Sequence, residues 1–183
     1  MGRPKMLLPW GVTSILGHTI AQWNSRAAVT TVVCAGELHP VWAELDRLGF
    51  PPTQRITNPN PERGMFESIC SSARWKEWGS ELTHWALILG DQPLIQADTL
   101  GRLVEFARAH PDEVCQPLQG GHRRHPVFLP KARFRELART TAPTLKDFLE
   151  PMRPKTGFCE CDDPGLGIDL DQPKDYEAAL KRI

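Results

Sequence analysis

The sequence has little of what marks several common functional classes. Neither sign of charge is in surplus: 22 Lys and Arg stand against 22 Asp and Glu in 183 residues. That balance removes the broad basic excess of a nucleic-acid binder, so no nucleic-acid partner is expected. Long hydrophobic runs are missing. The longest, such as Trp85 to Leu89, fall far short of the ~20 apolar residues that span a bilayer, and no membrane segment is expected. Cysteine is sparse and odd in number (Cys34, Cys70, Cys115, Cys159 and Cys161), unlike a disulfide scaffold, and the expected setting is reduced and cytoplasmic. Cys159 and Cys161 form the one close pair. They lack a His or Cys at zinc-finger spacing, and in a strand their thiols would share a face and suit packing. The N-terminus is unlike a targeting signal, because Met6, Leu7 and Leu8 are cut off by Pro9 and Gly11. Gly2 does not open a myristoylation motif, since Met6 stands where that motif has Ser or Thr.

What is present fits a globular protein, with 40% hydrophobic and 24% charged residues. The length suits one domain over residues 1–183. Helical and strand periods alternate along it. Leu16, Ile20, Trp23 and Ala27 fall on one helical stripe, and the β-branched run Val29 to Ala35 reads as a buried strand. Val41, Leu45 and Leu48 repeat the helical period until Gly49, and Arg55 to Thr57 is a short strand. A third helix opens at Gly64 and runs to about Trp75; His84 to Leu89 then reads as a strand covered on both faces. Asp98 is expected to cap the next helix. Strands follow at Val114 to Leu118 and Pro126 to Leu129, with short helices at Arg133 to Arg139 and Leu145 to Glu150. Gly157 to Cys161 and Gly167 to Leu170 are further strand candidates, and Pro173 opens a closing helix. The alternation predicts an α/β fold: a mainly parallel sheet with helices on both faces, binding ligands at the carboxyl ends of its strands.

That rule selects Asp91, in Gly90-Asp91-Gln92-Pro93, directly after the most apolar strand. A carboxylate there is costly unless paired, and either a hard divalent cation or an Asx-turn would satisfy it. Lys5, in Gly2-Arg3-Pro4-Lys5, can serve as a point charge for phosphate or stay solvated. The stretch Gly121 to Pro126 carries Arg123, Arg124, His122 and His125, an anion-binding rim or a solvated turn. Asp169 and Asp171 lie two apart and would share a face of an extended segment, but Asp171 reads equally as the cap of the helix that Pro173 begins.

Taken in order, G-R-P-K-M-L-L-P-W-G, N-P-x-x-x-x-G-M-x-x-S-I, L-I-L-G-D-Q-P-L, R-H-P-V-F and I-D-L-D-Q-P-x-D-Y resemble the MobA-like NTP transferases. Among these they look closest to the molybdenum-cofactor cytidylyltransferases. The resemblance implies a three-layer, Rossmann-like α/β/α fold of the GT-A type and magnesium-dependent transfer of NMP, from CTP or a related NTP, to a phosphorylated small acceptor such as molybdopterin. It also implies a molybdoenzyme client or chaperone as a possible partner. Residue by residue, it implies that Lys5 and Asp91 are catalytic, and that Gly2, Lys5, Asn58 and Asp91 bind nucleotide. Asp91 and Asp171 would hold magnesium, with Asp169 as the neighbour and rival of Asp171, while Ser68, Arg124 and His125 would meet the acceptor. Arg124 replaces the glycine of the family's G-H-P.

The family opens with a strand and a glycine-rich loop, L-A-A-G-x-x-x-R-M, immediately before G-x-P-K, and Met1 stands at the last Met of that motif. The sheet is therefore expected to lack a central strand and to leave its neighbours' backbone groups unpaired. The expectation is that the segment is encoded upstream; the other reading is that the cradle has been lost. Two rival functions remain: a non-catalytic binding module, and a sugar-nucleotide enzyme on the same fold. Asp91-Gln92 lacks the acid pair that a glycosyltransferase would carry.

Overall fold

In the computed structural model, which describes residues 4–182, the alternation becomes nine short strands and seven α-helices among the described residues. Lys5–Leu7 forms a 3-10 turn that leads into a hairpin of β1 (Pro9–Trp10) and β2 (Thr13–Ser14). Gly11 turns this hairpin at φ +57°, a left-handed conformation that glycine adopts without strain. Helix α1 (Ile15–Asn24) follows, its first turn capped by the Ser14 hydroxyl, which accepts the Gly17 N–H at 3.0 Å. Next come β3 (Val32–Cys34), α2 (Pro40–Arg47), β4 (Arg55–Thr57), α3 (Met65–Arg74), β5 (His84–Leu87) and α4 (Ala97–Ala109). The remaining elements are β6 (Val114–Gln119), β7 (His122–Arg123), β8 (Val127–Pro130), α5 (Lys131–Leu137), α6 (Leu145–Leu149), β9 (Thr156–Glu160) and α7 (Pro173–Leu180).

The larger sheet is mixed. Strand β8 pairs antiparallel with β5 and β6, β7 pairs antiparallel with β6, and only β6–β9 is parallel within it. The expectation of a mainly parallel sheet fails here because β6, β7 and β8 are joined by tight turns, which force antiparallel neighbours, whereas β9 returns through helices. Three other local readings are corrected. Gln96, not Asp98, precedes α4, and Asp98 sits inside its first turn. Residues 167–170 form no strand, because Pro164–Gly167 is a 3-10 turn whose Gly165 N–H is held by Asp163 at 2.8 Å. Helix α7 is capped by Gln172 in a reciprocal box with Asp175, which leaves Asp171 free of the capping role.

Strands β3 and β4 pair in parallel and form a sheet of their own, apart from the larger one. Among the described residues β3 is unpaired on its other side, as is β5 at the end of the larger sheet. Two adjoining cavities of about 360 and 400 Å³ fill the space between those edges. Their walls run from Ala28 to Val33 on one side and from Leu82 to Asp91 on the other, in the same order, so β3 and β5 run alongside in the same direction. This slot explains why Ala86, Leu87 and Ile88 are half-buried rather than covered on both faces. It also leaves Thr30 Oγ1 and Trp85 Nε1 buried without a partner. The core is divided accordingly: one cluster joins Leu16, Ile20, Val41, Leu45 and Phe50, and others pack against the larger sheet. Helix α1 contributes to both sides, with Leu16 and Ile20 on one and Trp23 on the other. Among the described residues, no helix is long and apolar enough to cross a membrane.

Candidate active site

Residues at the two ends of the chain meet at the carboxyl end of β5. Lys5 Nζ lies 2.6 Å from Asp91 Oδ2 and donates to Asp171 Oδ1 at 2.8 Å. Lys5 is fixed there by the 3-10 turn beneath it, and Asp91 by the turn that follows β5. Gly90 packs under Met6: a Cβ there would lie 2.9 Å from Met6 Sδ, a contact that the flexible thioether relieves by shifting. Burial works against the lysine's charge, but hydrogen bonds to Asp171 and Asp91, with their negative charges, outweigh it and hold the ammonium above its ordinary range. Asp169 points elsewhere: it accepts from Gln92 Nε2 at 3.2 Å, so of the two acids only Asp171 joins Asp91.

The cavity of about 400 Å³ beside this cluster is lined by Lys5, Asp91, Met65, Ser68 and His125 as well as by the slot's strands. Helix α3 enters it by its N-terminus, with Gly64 at φ +83° as the turn into the helix. Asn58 is 2% exposed and serves as a brace. Its Oδ1 accepts the Asn60 N–H at 2.8 Å, and its Nδ2 donates to Ser68 Oγ at 3.0 Å. It does not line the cavity, and Ser68 does. His125 Nδ1 sits 3.2 Å from the Leu87 carbonyl, which fixes that nitrogen as the donor and leaves Nε2 a free acceptor. Burial lowers the His125 pKa, partly offset by the Leu87 hydrogen bond and by Asp91 and Asp169, so the ring is neutral at pH 7.

Arg124 is turned away, and lines neither cavity that His125 lines. Its guanidinium reaches toward Gly167, where a Cβ would lie 3.2 Å from it, and its Nε is buried without a partner. Its neighbour Arg123 faces the second of those cavities instead. Arg124 lies just past the end of β7, its N–H held by the Pro117 carbonyl at 3.0 Å. Gly2 lies outside the described residues. Sequence reasoning missed Asp163, which is 2% exposed and accepts the N–H groups of both Gln96 and Gly165 at 2.8 Å. It thereby ties the loop leading to Asp171 to the start of α4. An Asp just ahead of Pro-Gly was the signal available.

Two carboxylates converging on one cationic nitrogen form an oxygen site with a positive charge already seated in it. That donor set suits a hard divalent ion such as magnesium, which binds through one or two carboxylates and keeps several waters. Among the described residues no group of three or more His, Cys, Asp or Glu side chains converges, so a closed, all-protein cage is not available.

The sequence matches the family model of the MobA-like NTP transferase domain over residues 1–156. No protein in the curated set matches it. Among solved structures it is similar to Rv0371c of Mycobacterium tuberculosis H37Rv, at 21% identity and a TM-score of 0.76, covering 100% of this chain and 92% of that one. A complex of Rv0371c with manganese matches at 22% identity and a TM-score of 0.67, covering 100% and 95%. The molybdopterin-guanine dinucleotide biosynthesis protein A of Archaeoglobus fulgidus matches at 13% identity and a TM-score of 0.70, covering 99% and 91%.

Proposed function

Since the chain belongs to the MobA-like NTP transferase family and is thereby a nucleotidyltransferase with a Rossmann-like fold, we propose that it transfers CMP from CTP to a phosphorylated small acceptor, of which molybdopterin is the leading candidate. An oxygen of the acceptor's phosphate forms a bond to the α-phosphorus, the bond from that phosphorus to the bridging oxygen breaks, and pyrophosphate leaves. No protein nucleophile takes part. The observation that carries the reading is the convergence of Lys5, Asp91 and Asp171 at the mouth of a cavity at the end of β5. Asp91 and Asp171 would hold magnesium, which supplies charge screening among the acceptor, the α-phosphate and the leaving group. Lys5 then turns from the carboxylates to the triphosphate, where its ammonium offsets the charge gathered on the leaving pyrophosphate. The free N–H groups of α3's first turn, beginning at Met65, orient phosphate oxygens, with the Ser68 hydroxyl on the same cavity wall beside them. The product would pass to a molybdoenzyme or its chaperone, in the cytoplasm.

The test is release of pyrophosphate from CTP in the presence of magnesium and a phosphorylated pterin acceptor. Asp91→Asn is expected to lower that rate at least about a thousandfold while leaving the circular dichroism spectrum unchanged. Turnover that survives in this variant overturns the assignment of Asp91 as metal ligand.

A further inference from the structure

Gln92, the residue after Asp91, is 6% exposed. Its Nε2 donates to Asp169 Oδ1 at 3.2 Å, while its Oε1 is buried without a partner. An orphaned buried acceptor is costly, and a leucine or methionine would fill the same space without that cost. Turning the amide over gives no relief, because its oxygen would then face the Asp169 carboxylate. The bond to Asp169 thus fixes the orientation of Gln92, and it is what an apolar side chain could not supply.

The same bond joins the two segments that carry the site's acids. Among the described residues it is the one direct hydrogen bond between residues 90–93 and residues 168–171. The other polar link runs through Lys5, which bridges Asp91 and Asp171. A divalent ion seated on those two carboxylates displaces the ammonium, and that link is lost. Leu170, between the two acids of its segment, is 0% exposed and packs with Trp10, Ile15 and Ala179. It anchors the segment at one point, about which the neighbouring residues can still turn. The Asp171 side chain is 70% exposed, so little packing holds it. Asp169, tied to Gln92, supplies the second point that stops the turning. We propose that Gln92 and Asp169 are positioning residues, whose hydrogen bond sets the spacing of the Asp91 and Asp171 carboxylates and preorganises them for a divalent ion. Asp169 acts as an acceptor for Gln92 and touches neither metal nor substrate. This rests on the reading of Asp91 and Asp171 as the metal's ligands, and extends it to two residues outside the ligand set.

The test follows manganese binding to the whole protein by titration calorimetry, without nucleotide or acceptor. Gln92→Met, which keeps the volume but not the donor, and Asp169→Ala should each weaken binding at least about tenfold, as loss of a ligand's outer partner does. The double variant should be no weaker than either single one. Asp169→Asn keeps the acceptor oxygen and loses the charge, and should bind within about threefold of the unsubstituted protein. A second readout needs no metal. Carbodiimide joins an ammonium to a carboxylate in contact with it, and mass spectrometry reads the products. The Lys5–Asp171 cross-link should be largely lost in Gln92→Met and Asp169→Ala and kept in Asp169→Asn, with the Lys5–Asp91 cross-link kept in all three. Asp169 is at the surface, and melting curves establish that each variant folds. If the cross-links follow this pattern while manganese does not bind, the metal reading falls and the brace between the two segments stands. Full-strength manganese binding in Gln92→Met or Asp169→Ala, Asp169→Asn as weak as Asp169→Ala, or an undiminished Lys5–Asp171 cross-link overturns the proposal.

Discussion

Lys5 is the residue on which the site's electrostatics turn. Its ammonium sits between two carboxylates 80 residues apart in sequence (91 and 171), where they would otherwise repel each other. It therefore occupies the place a divalent ion would take, and the two cations compete. Lys5→Met is expected to tighten manganese binding about tenfold in the absence of nucleotide, measured by titration calorimetry, while abolishing turnover; unchanged or weaker metal binding would show that lysine and metal do not share a seat. Asp91 was legible in the sequence, because an acid after an apolar strand stands where α/β sheets bind ligands. Its closeness to Asp171 was not, since the two acids are 80 residues apart and no local spacing encodes their meeting. The choice between Arg123 and Arg124 was hidden for a smaller reason: β7 ends between the two residues, and the sequence does not say which of the adjacent side chains looks into the cavity.

Among the elements, those with a strong period were readable, and those held by side-chain hydrogen bonds were not. Helix α1 follows its apolar stripe, and β5 its apolar run. The segment before Asp171 read as a strand from Ile168 and Leu170, yet it is shaped by Asp163, whose two oxygens hold separate backbone N–H groups. Asp163→Ala leaves the buried Gly165 N–H and the part-buried Gln96 N–H without their partner, and is expected to cost roughly 2 kcal/mol in urea unfolding. Asp163→Asn, which keeps one acceptor oxygen, should cost less. Gly165 is packed so closely that a Cβ would lie 2.1 Å from the Leu94 carbonyl oxygen. Gly165→Ala should therefore displace this turn, and with it Asp171, so that metal affinity falls together with stability. A fall in only one of the two would show that the turn does not position the acid.

For the whole molecule, pH acts through half-buried imidazoles. His18, His84 and His125 are each lowered from the ordinary histidine range, chiefly by burial. Below about pH 6.5 the unfolded chain takes up protons that the folded protein resists. The stability these groups allow is thus present above that pH and is lost as pH falls through it, and the melting temperature should drop between pH 7 and pH 5; a flat profile would contradict the assigned burial. Temperature and denaturant act along another line. Strands β3 and β5 border the slot without pairing across it, and among the described residues it is bridged by α1, with side chains in the cores on both sides, and by α3, which meets β3 and β4 as well as α5. The body that carries Val41, Leu45 and Phe50 can therefore loosen while the five-stranded sheet persists, so amides of α2 and β4 should exchange with deuterium well before those of β6 and β8. Like a coat left unbuttoned, the protein has a fixed line along which it opens, the seam where β3 and β5 lie alongside each other but unpaired among the described residues.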